Sequence, residues 1–178
     1  DPYSSGDTSP FEADGGYITF CKQFTYLGSI ITWDLDDSVD VTARIAKASS
    51  ALGSLGCVFK NKDISIATKW TAYMVLVMSI LLFGSESWTL RIEDLRRLQT
   101  FHHAAVRRIC GVTLWHRRRT EDLLRSIGPR AASIDHYVAA RQLRWAGHVA
   151  RMEKTRGPRM LLTAFVQHNR PLGRPVQT

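Results

Sequence analysis

Cysteine is scarce in this chain of 178 residues. Its three copies, Cys21, Cys57 and Cys110, are odd in number, far apart and outside any CxxC or CxxH spacing, which argues against a disulfide framework and against a zinc site. A bilayer-spanning run is missing too. A transmembrane helix needs about 20 apolar residues, whereas the most apolar stretch, ISIATKWTAYMVLVMSILLFG from Ile64 to Gly84, is bracketed by Lys69 and Glu86 and contains Thr71 and Ser79. No basic segment precedes an apolar one at the start, so no signal peptide is expected, and the lack of an initiating Met suggests a fragment.

What is present is a globular composition, 44% hydrophobic, with a net charge of +8 that is unevenly spread. Up to Phe59, eight acids (Asp1, Asp7, Glu12, Asp14, Asp34, Asp36, Asp37 and Asp40) face only Lys22, Arg44 and Lys47, a balance of −5, so the rest of the chain carries +13. Most of that excess is arginine, whose planar fork suits phosphate and whose face stacks on bases. A nucleic-acid partner is the leading explanation, with an acidic protein surface as rival.

The organising element is the Ile64 to Gly84 run. It lacks a polar face, so a core helix buried on all sides is predicted, with Asp63 or Ser65 as cap and Gly84 as a left-handed stop. Before it, Asp1 to Gly16 is aperiodic and rich in Ser, Gly, Pro and Asp, which predicts a disordered tail or linker. Tyr17 to Trp33 is dense in β-branched and aromatic residues and predicts a hairpin of Tyr17 to Phe20 with Phe24 to Ile31, Gly28 marking a bulge or close approach. DLDDS (Asp34 to Ser38) predicts a turn ending in a capping residue, and Val41, Ile45, Ala48, Leu52 and Leu55 place one apolar stripe on a helix running to about Phe59. Asp36-Asp37 suggests acids ahead of a helix start, favoured by the macrodipole, more than a catalytic dyad.

The basic residues fall into three stretches. At 100° per residue, Leu95, Leu98, His102, Ala105, Val106 and Ile109 share one side of a helix over Ile92 to Ile109, with His102 a core histidine. Arg96, Arg97, Thr100, His103, Arg107 and Arg108 share the other, a solvated face or a phosphate-binding stripe. WHRRR, Trp115 to Arg119, is a basic loop headed by an aromatic, suited to stacking and backbone contact. Thr120 then caps a short helix that Gly128-Pro129 ends. In the last long helix, Ser133 to Met152, the small stripe Ala139, Leu143, Ala146 and Ala150 predicts close approach to another helix. Tyr137, Arg141, Arg144, Trp145, His148, Arg151 and Met152 form an aromatic and arginine surface opposite, unless Trp145 and Met152 join Ile134, Val138 and Val149 in a second buried face. The end, Thr155 to Thr178, is a Pro/Gly/Arg-rich tail with a possible helix at Met160 to Gln167. Its NRPLGRP contains the Gly-Arg-Pro core of minor-groove hooks without their flanking basic pair.

FTYLGSIIT (Phe24 to Thr32), ARIAKASSALGSL (Ala43 to Leu55), ATKWTAYMVLVMSILLFGSESWTL (Ala67 to Leu90), LQTFHHAAVRRICGV (Leu98 to Val112) and RQLRWAGHVARM (Arg141 to Met152), followed by RPLGRP, together resemble the C-terminal part of a reverse transcriptase from a LINE-like, non-LTR retrotransposon. The resemblance implies that Phe24, Tyr26, Leu27 and Gly28 match the primer grip at the end of the palm, and that the following helices match the thumb, which clamps template and primer. It implies upstream palm and fingers as partners, and a parent polymerase that uses Mg2+. The family's catalytic aspartates, one in a palm motif and a pair in Tyr-x-Asp-Asp, precede the YLG segment, and [Phe/Tyr]-x-Asp-Asp occurs nowhere here. This chain is therefore expected to have no catalytic residues, metal site or cofactor of its own. Phe83, Ser87 and Ala164-Phe165 depart from the family pattern and suggest a drifted copy.

The resulting expectation is a mainly α fold: a β-hairpin over 17–33, a helical thumb-like bundle over 34–112, and a basic loop with C-terminal helices over 113–154. Its function would be grip on an RNA/DNA hybrid or DNA duplex in the nucleus or cytoplasm, with no membrane. Arg96, Arg97, Arg107, Arg108, Arg117, Arg118, Arg119, Arg141, Arg144 and Arg151 would meet phosphates, and Trp115 and Trp145 would stack. The alternatives are a helical module docking an acidic protein or the absent palm, and a nonfunctional remnant.

Overall fold

In a computed structural model, which describes residues 11–13 and 16–163, the chain is mainly helical. Two antiparallel hairpins come first, β1 (Phe11–Ala13) with β2 (Gly16–Ile18), and β3 (Gln23–Tyr26) with β4 (Ser29–Thr32). Helices α1 (Ser38–Ser54), α2 (Gly56–Lys60) and α3 (Ile66–Ala72) follow. A π-helical segment over Tyr73–Met78 leads into the single turn α4 (Ser79–Leu81), and then come α5 (Ile92–Cys110), α6 (Thr120–Ile127), α7 (Ile134–Ala150) and α8 (Gly157–Thr163).

The strand boundaries differ from the expected ones. Phe11–Ala13, assigned from sequence to a tail, is a strand, and the YLG segment is a turn: Phe24 faces Ile31 and Tyr26 faces Ser29. Leu27 and Gly28 have φ of 47° and 89°, the positive values that a tight I′ hairpin turn demands of both central residues. Gly28 thus serves a turn and not a bulge. Phe24, Tyr26 and Ile31 consequently share one face, and each is about half exposed or more.

The core is built by α1, the α3–α4 rod, α5, α6 and α7, through Val41, Ala48, Tyr73, Val77, Leu81, Leu98, Val106, Leu123, Ile134 and Val138 among others. The rod starts as expected, with the Ser65 hydroxyl accepting from the Thr68 N–H at 3.1 Å, but its last helical residue is Leu81, capped by Leu82, so Gly84, φ 81°, shapes the turn beyond it and is not the stop. It is not buried on all sides, however. Trp70, Tyr73, Val77, Met78 and Leu81 point inward, while Val75, Leu76 and Phe83 stand 62%, 49% and 47% exposed. Along the π-helical segment Val77 and Met78 are buried side by side, while Val75 and Leu76 face the surface.

Helix α5 has the two faces expected of it. Leu98, His102, Ala105, Val106 and Ile109 are buried, with Asp94 added and Leu95 half-buried. His102 is a satisfied core histidine. Its Nε2 lies 3.1 Å from the Ala132 carbonyl, which only accepts, so Nε2 carries the proton and Nδ1 accepts the Tyr73 hydroxyl at 2.8 Å. Trp70, Tyr73 and Tyr137 surround the imidazole with ring centroids within 6.2 Å. Burial pushes the His102 pKa down to about 4 and the Tyr73 phenol up.

Two capping expectations and one packing expectation are corrected. Ser38 and Thr120 are the first helical residues of α1 and α6, not their caps. The small stripe of α7 is not its packed side: Ala139, Leu143, Ala146 and Ala150 are all exposed, and the buried side is Ile134, Val138 and Val149. The final helix begins at Gly157, before the expected Met160; the Gly-Arg-Pro tail lies outside the described residues.

Candidate nucleic-acid interface

The junction of hairpin, α1 and the turn after α4 consumes its charges internally. Asp40, 2% exposed, accepts from the Ile30 N–H at 3.0 Å and from the Trp88 indole N–H at 3.1 Å. Its other neighbour is the Arg44 Nε at 3.5 Å, an ionic contact outside hydrogen-bond geometry. The Arg44 guanidinium also donates to the Gly28 carbonyl and to Ser29 Oγ, and it lies 4.5 Å over the Phe83 ring. Asp36 receives Ser38 and pairs with Arg91 at 2.9 Å; hydrogen bonds from Ser38, then the Arg91 charge, hold its carboxyl below the usual range. Asp37 accepts from the Thr89 N–H at 2.6 Å. These aspartates join β4 and the residue 88–91 segment to the start of α1, and no metal-ligand grouping occurs among the described residues.

The outward side of α5 is different. Arg96, Arg97, Thr100 and Phe101 line one groove with Ile45; Thr100, His103, Arg107 and Arg108 line the next with Val112, Leu114 and Thr120. Thr100 and Ala104 belong to both, so the two grooves form one surface along the helix. The Arg107 guanidinium donates to the Arg118 carbonyl at 2.9 Å, which fastens the basic loop to α5. Burial, and then the Arg107 charge, push the His103 pKa down. Arg97 is partly committed, with Asp94 at 3.2 Å and the Thr42 hydroxyl at 2.7 Å. Arg96, Arg108, Arg117, Arg118 and Arg119 form no side-chain ion pair among the described residues.

The loop itself is held open by local chemistry. The Thr113 N–H donates to His116 Nδ1 at 3.1 Å, closing a short 3-10 turn over Leu114–His116. Arg117 ends that turn in the left-handed region, φ 46°. The consequence is that Trp115, at the head of the arginines, stands 93% exposed.

A second cleft lies on α7, sharing no lining residue with the first surface. Arg141, Arg144, Trp145, His148 and Arg151 line it together with Glu86, around about 340 Å³. Glu86 accepts from Arg141 at 3.0 Å, and the Trp145 and His148 rings lie 5.6 Å apart. Trp145 is 45% exposed, so it does not join the buried face. Glu86 was not a candidate from sequence, since nothing local ties it to a partner 55 positions away.

No family model and no solved structure matches the chain. A transposon-derived, uncharacterised protein of Caenorhabditis elegans is 34% identical to it over 83 residues, which is 46% of this chain and 30% of that relative. The similarity supports a transposon-related origin. The chain spans less than a third of that relative's length. Among the described residues, no helix is long and apolar enough to cross a membrane.

Proposed function

We propose that the chain is the primer-grip, thumb and post-thumb part of a LINE-like reverse transcriptase, gripping a template–primer duplex of RNA/DNA or DNA through its phosphate backbone. It has no catalytic group or cofactor of its own in this reading; the parent polymerase, with its Mg2+, supplies the chemistry. The observation that carries the reading is the α5 surface: Arg96, Arg107 and Arg108 have no acidic partner among the described residues and lie on the side of the helix away from the core, and the WHRRR loop, whose three arginines are likewise unpaired there, is fastened to its end. Such a face contacts phosphates without reading sequence. The hairpin supports a partnership with an upstream palm, because a two-stranded hairpin is marginal alone and Phe24, Tyr26, Ile31 and Trp33 leave an apolar face half uncovered.

The test is binding of the purified chain to a labelled RNA/DNA hybrid, a DNA duplex and a single strand over a salt series. Micromolar or tighter duplex binding that weakens steeply with salt is expected. Replacing Arg117, Arg118 and Arg119 with Ala should flatten the log–log salt slope by up to about 3, near 0.9 for each phosphate no longer neutralised. No binding at low salt by a chain that unfolds cooperatively would overturn the reading and leave the basic face to an acidic protein.

A further inference from the structure

The α7 cleft differs from the α5 surface in lining and is smaller, about 340 Å³ against about 440 and 570 Å³ for the two α5 grooves. Its residues recur at i, i+3, i+4, i+7 and i+10, one continuous face of the helix. Glu86 neutralises Arg141 at 3.0 Å and so fixes one wall, while Arg144 and Arg151 have no acidic partner among the described residues. Arg151 reaches back toward the cleft over Gly147: a Cβ at Gly147 would lie 3.4 Å from its Nη1, so the missing side chain makes room for that guanidinium. Trp145 and His148 form an aromatic wall, tilted by 38° to one another. The volume of about 340 Å³ is at the small end of ligand-sized pockets, enough for one nucleotide.

We propose that this cleft binds a single unpaired nucleotide of a strand running beyond the duplex, its base against Trp145 and its phosphate between Arg144 and Arg151. The proposal rests on the nucleic-acid reading above and adds to it a division of labour: duplex backbone on α5, unpaired nucleotide on α7. Arginine and indole side by side are the pairing that single-strand sites use, charge for the backbone and a π face for any base.

The test uses the full chain at one salt concentration and three labelled DNA probes: a blunt duplex, the same duplex with a short unpaired extension, and that extension made abasic. The extension should raise affinity, by about 5-fold to 100-fold if one base stacks, and the abasic extension should recover only the phosphate share. Trp145→Ala should reduce the extended probe to the abasic level and leave the blunt duplex unchanged, with Trp145→Phe keeping most of the gain. Arg144→Ala should weaken the extended and abasic probes alike. Competition by a mononucleotide 5′-phosphate separates two sources of this chemistry: displacement of the extended probe extends the site to free nucleotides, and its absence confines the site to strands, the cleft being supported in both cases. Equal binding of blunt and extended probes, or an extended probe indifferent to Trp145→Ala, would overturn the cleft assignment while leaving the duplex reading intact. Binding of the extended probe alone would keep the cleft and sink the duplex reading, and no binding of any probe would sink both.

Discussion

The arginines of this chain live in two environments. At the hairpin junction, Arg44 is 5% exposed and surrounded by Asp40, the Gly28 carbonyl, Ser29 and the Phe83 ring. Along α5, the WHRRR loop and α7, arginines of the same chemistry face solvent, and few of them meet an acid. The difference is set by where the acids go: half of the sixteen lie before Phe59, where they meet only three basic residues, and the fold brings Asp36, Asp37 and Asp40 to the residue 86–91 turn and not to the α5 or α7 surface. Charge consumed internally builds the junction, and charge left over is what a polyanion would meet.

The sharpest way to break that contrast is to open the junction. Asp40→Ala leaves Arg44, the Trp88 indole and the Ile30 amide without their partner, all in a buried site. Breaking one side of a buried pair costs about 3–5 kcal/mol, so urea unfolding should lose that much. A loss below about 1 kcal/mol would mean the junction is as open as the α7 face. By contrast, Arg119→Ala, at an exposed position, should leave stability within about 0.5 kcal/mol.

A second buried polar site sharpens the comparison through pH. His102 is held neutral, its pKa down at about 4 against an ordinary value of 6.5. Between those two values the unfolded chain binds a proton that the native chain refuses. Stability is therefore full above about pH 6.5 and falls as pH drops toward 4, by up to about 3 kcal/mol. His103, also shifted down by burial and by Arg107, adds in the same direction. His102→Gln should flatten most of this dependence in thermal melts between pH 7 and pH 4; an unaltered slope would show that the acid sensitivity lies elsewhere.

A smaller effect tests how the hairpin is seated. Gly84 sits at φ 81°, and a Cβ there would come 2.7 Å from Ser29 Oγ. Gly84→Ala should cost about 1–2 kcal/mol from the left-handed backbone alone, with added loss from displacing β4. A stability change near zero would show that the hairpin is not pressed against the turn.

Local signals were legible where the chemistry is local. The 3.6-residue period placed the two faces of α5 and put His102 inside, and the Ser65 cap lies where its residue type predicts. The mainly helical fold with an N-terminal hairpin follows from the same patterns. What depends on distant partners was not legible. The Asp40–Trp88 and Glu86–Arg141 contacts join residues 48 and 55 positions apart, and no spacing rule connects them. The β3–β4 register was missed because Tyr26-Leu27-Gly28-Ser29 looks like strand by composition, although two positive φ values make it a turn. The exposed side of the rod was missed because Val75 and Leu76 line it, so no polar residue marks it as a surface.

The α7 stripe gives the last and smallest test, because sequence alone offered two ways to bury that helix. Ala139, Leu143, Ala146 and Ala150 form a stripe as regular as the one around Ile134 and Val138, and only the position of α5 and the residue 86–88 turn decides between them. The Gln142 amide donates to the Trp88 carbonyl at 2.9 Å and Arg141 meets Glu86, which turns Leu143 outward to 72% exposure. Leu143→Lys should therefore change urea-unfolding stability by no more than about 0.5 kcal/mol, with an unchanged m-value. Were the stripe packed against another helix, truncating Leu143 to Ala would cost about 2–5 kcal/mol and a lysine there would strand its charge. A large loss in the lysine variant would mean that α7 is rolled about its axis, with the Arg144–Trp145 surface turned away from where an unpaired nucleotide could reach it.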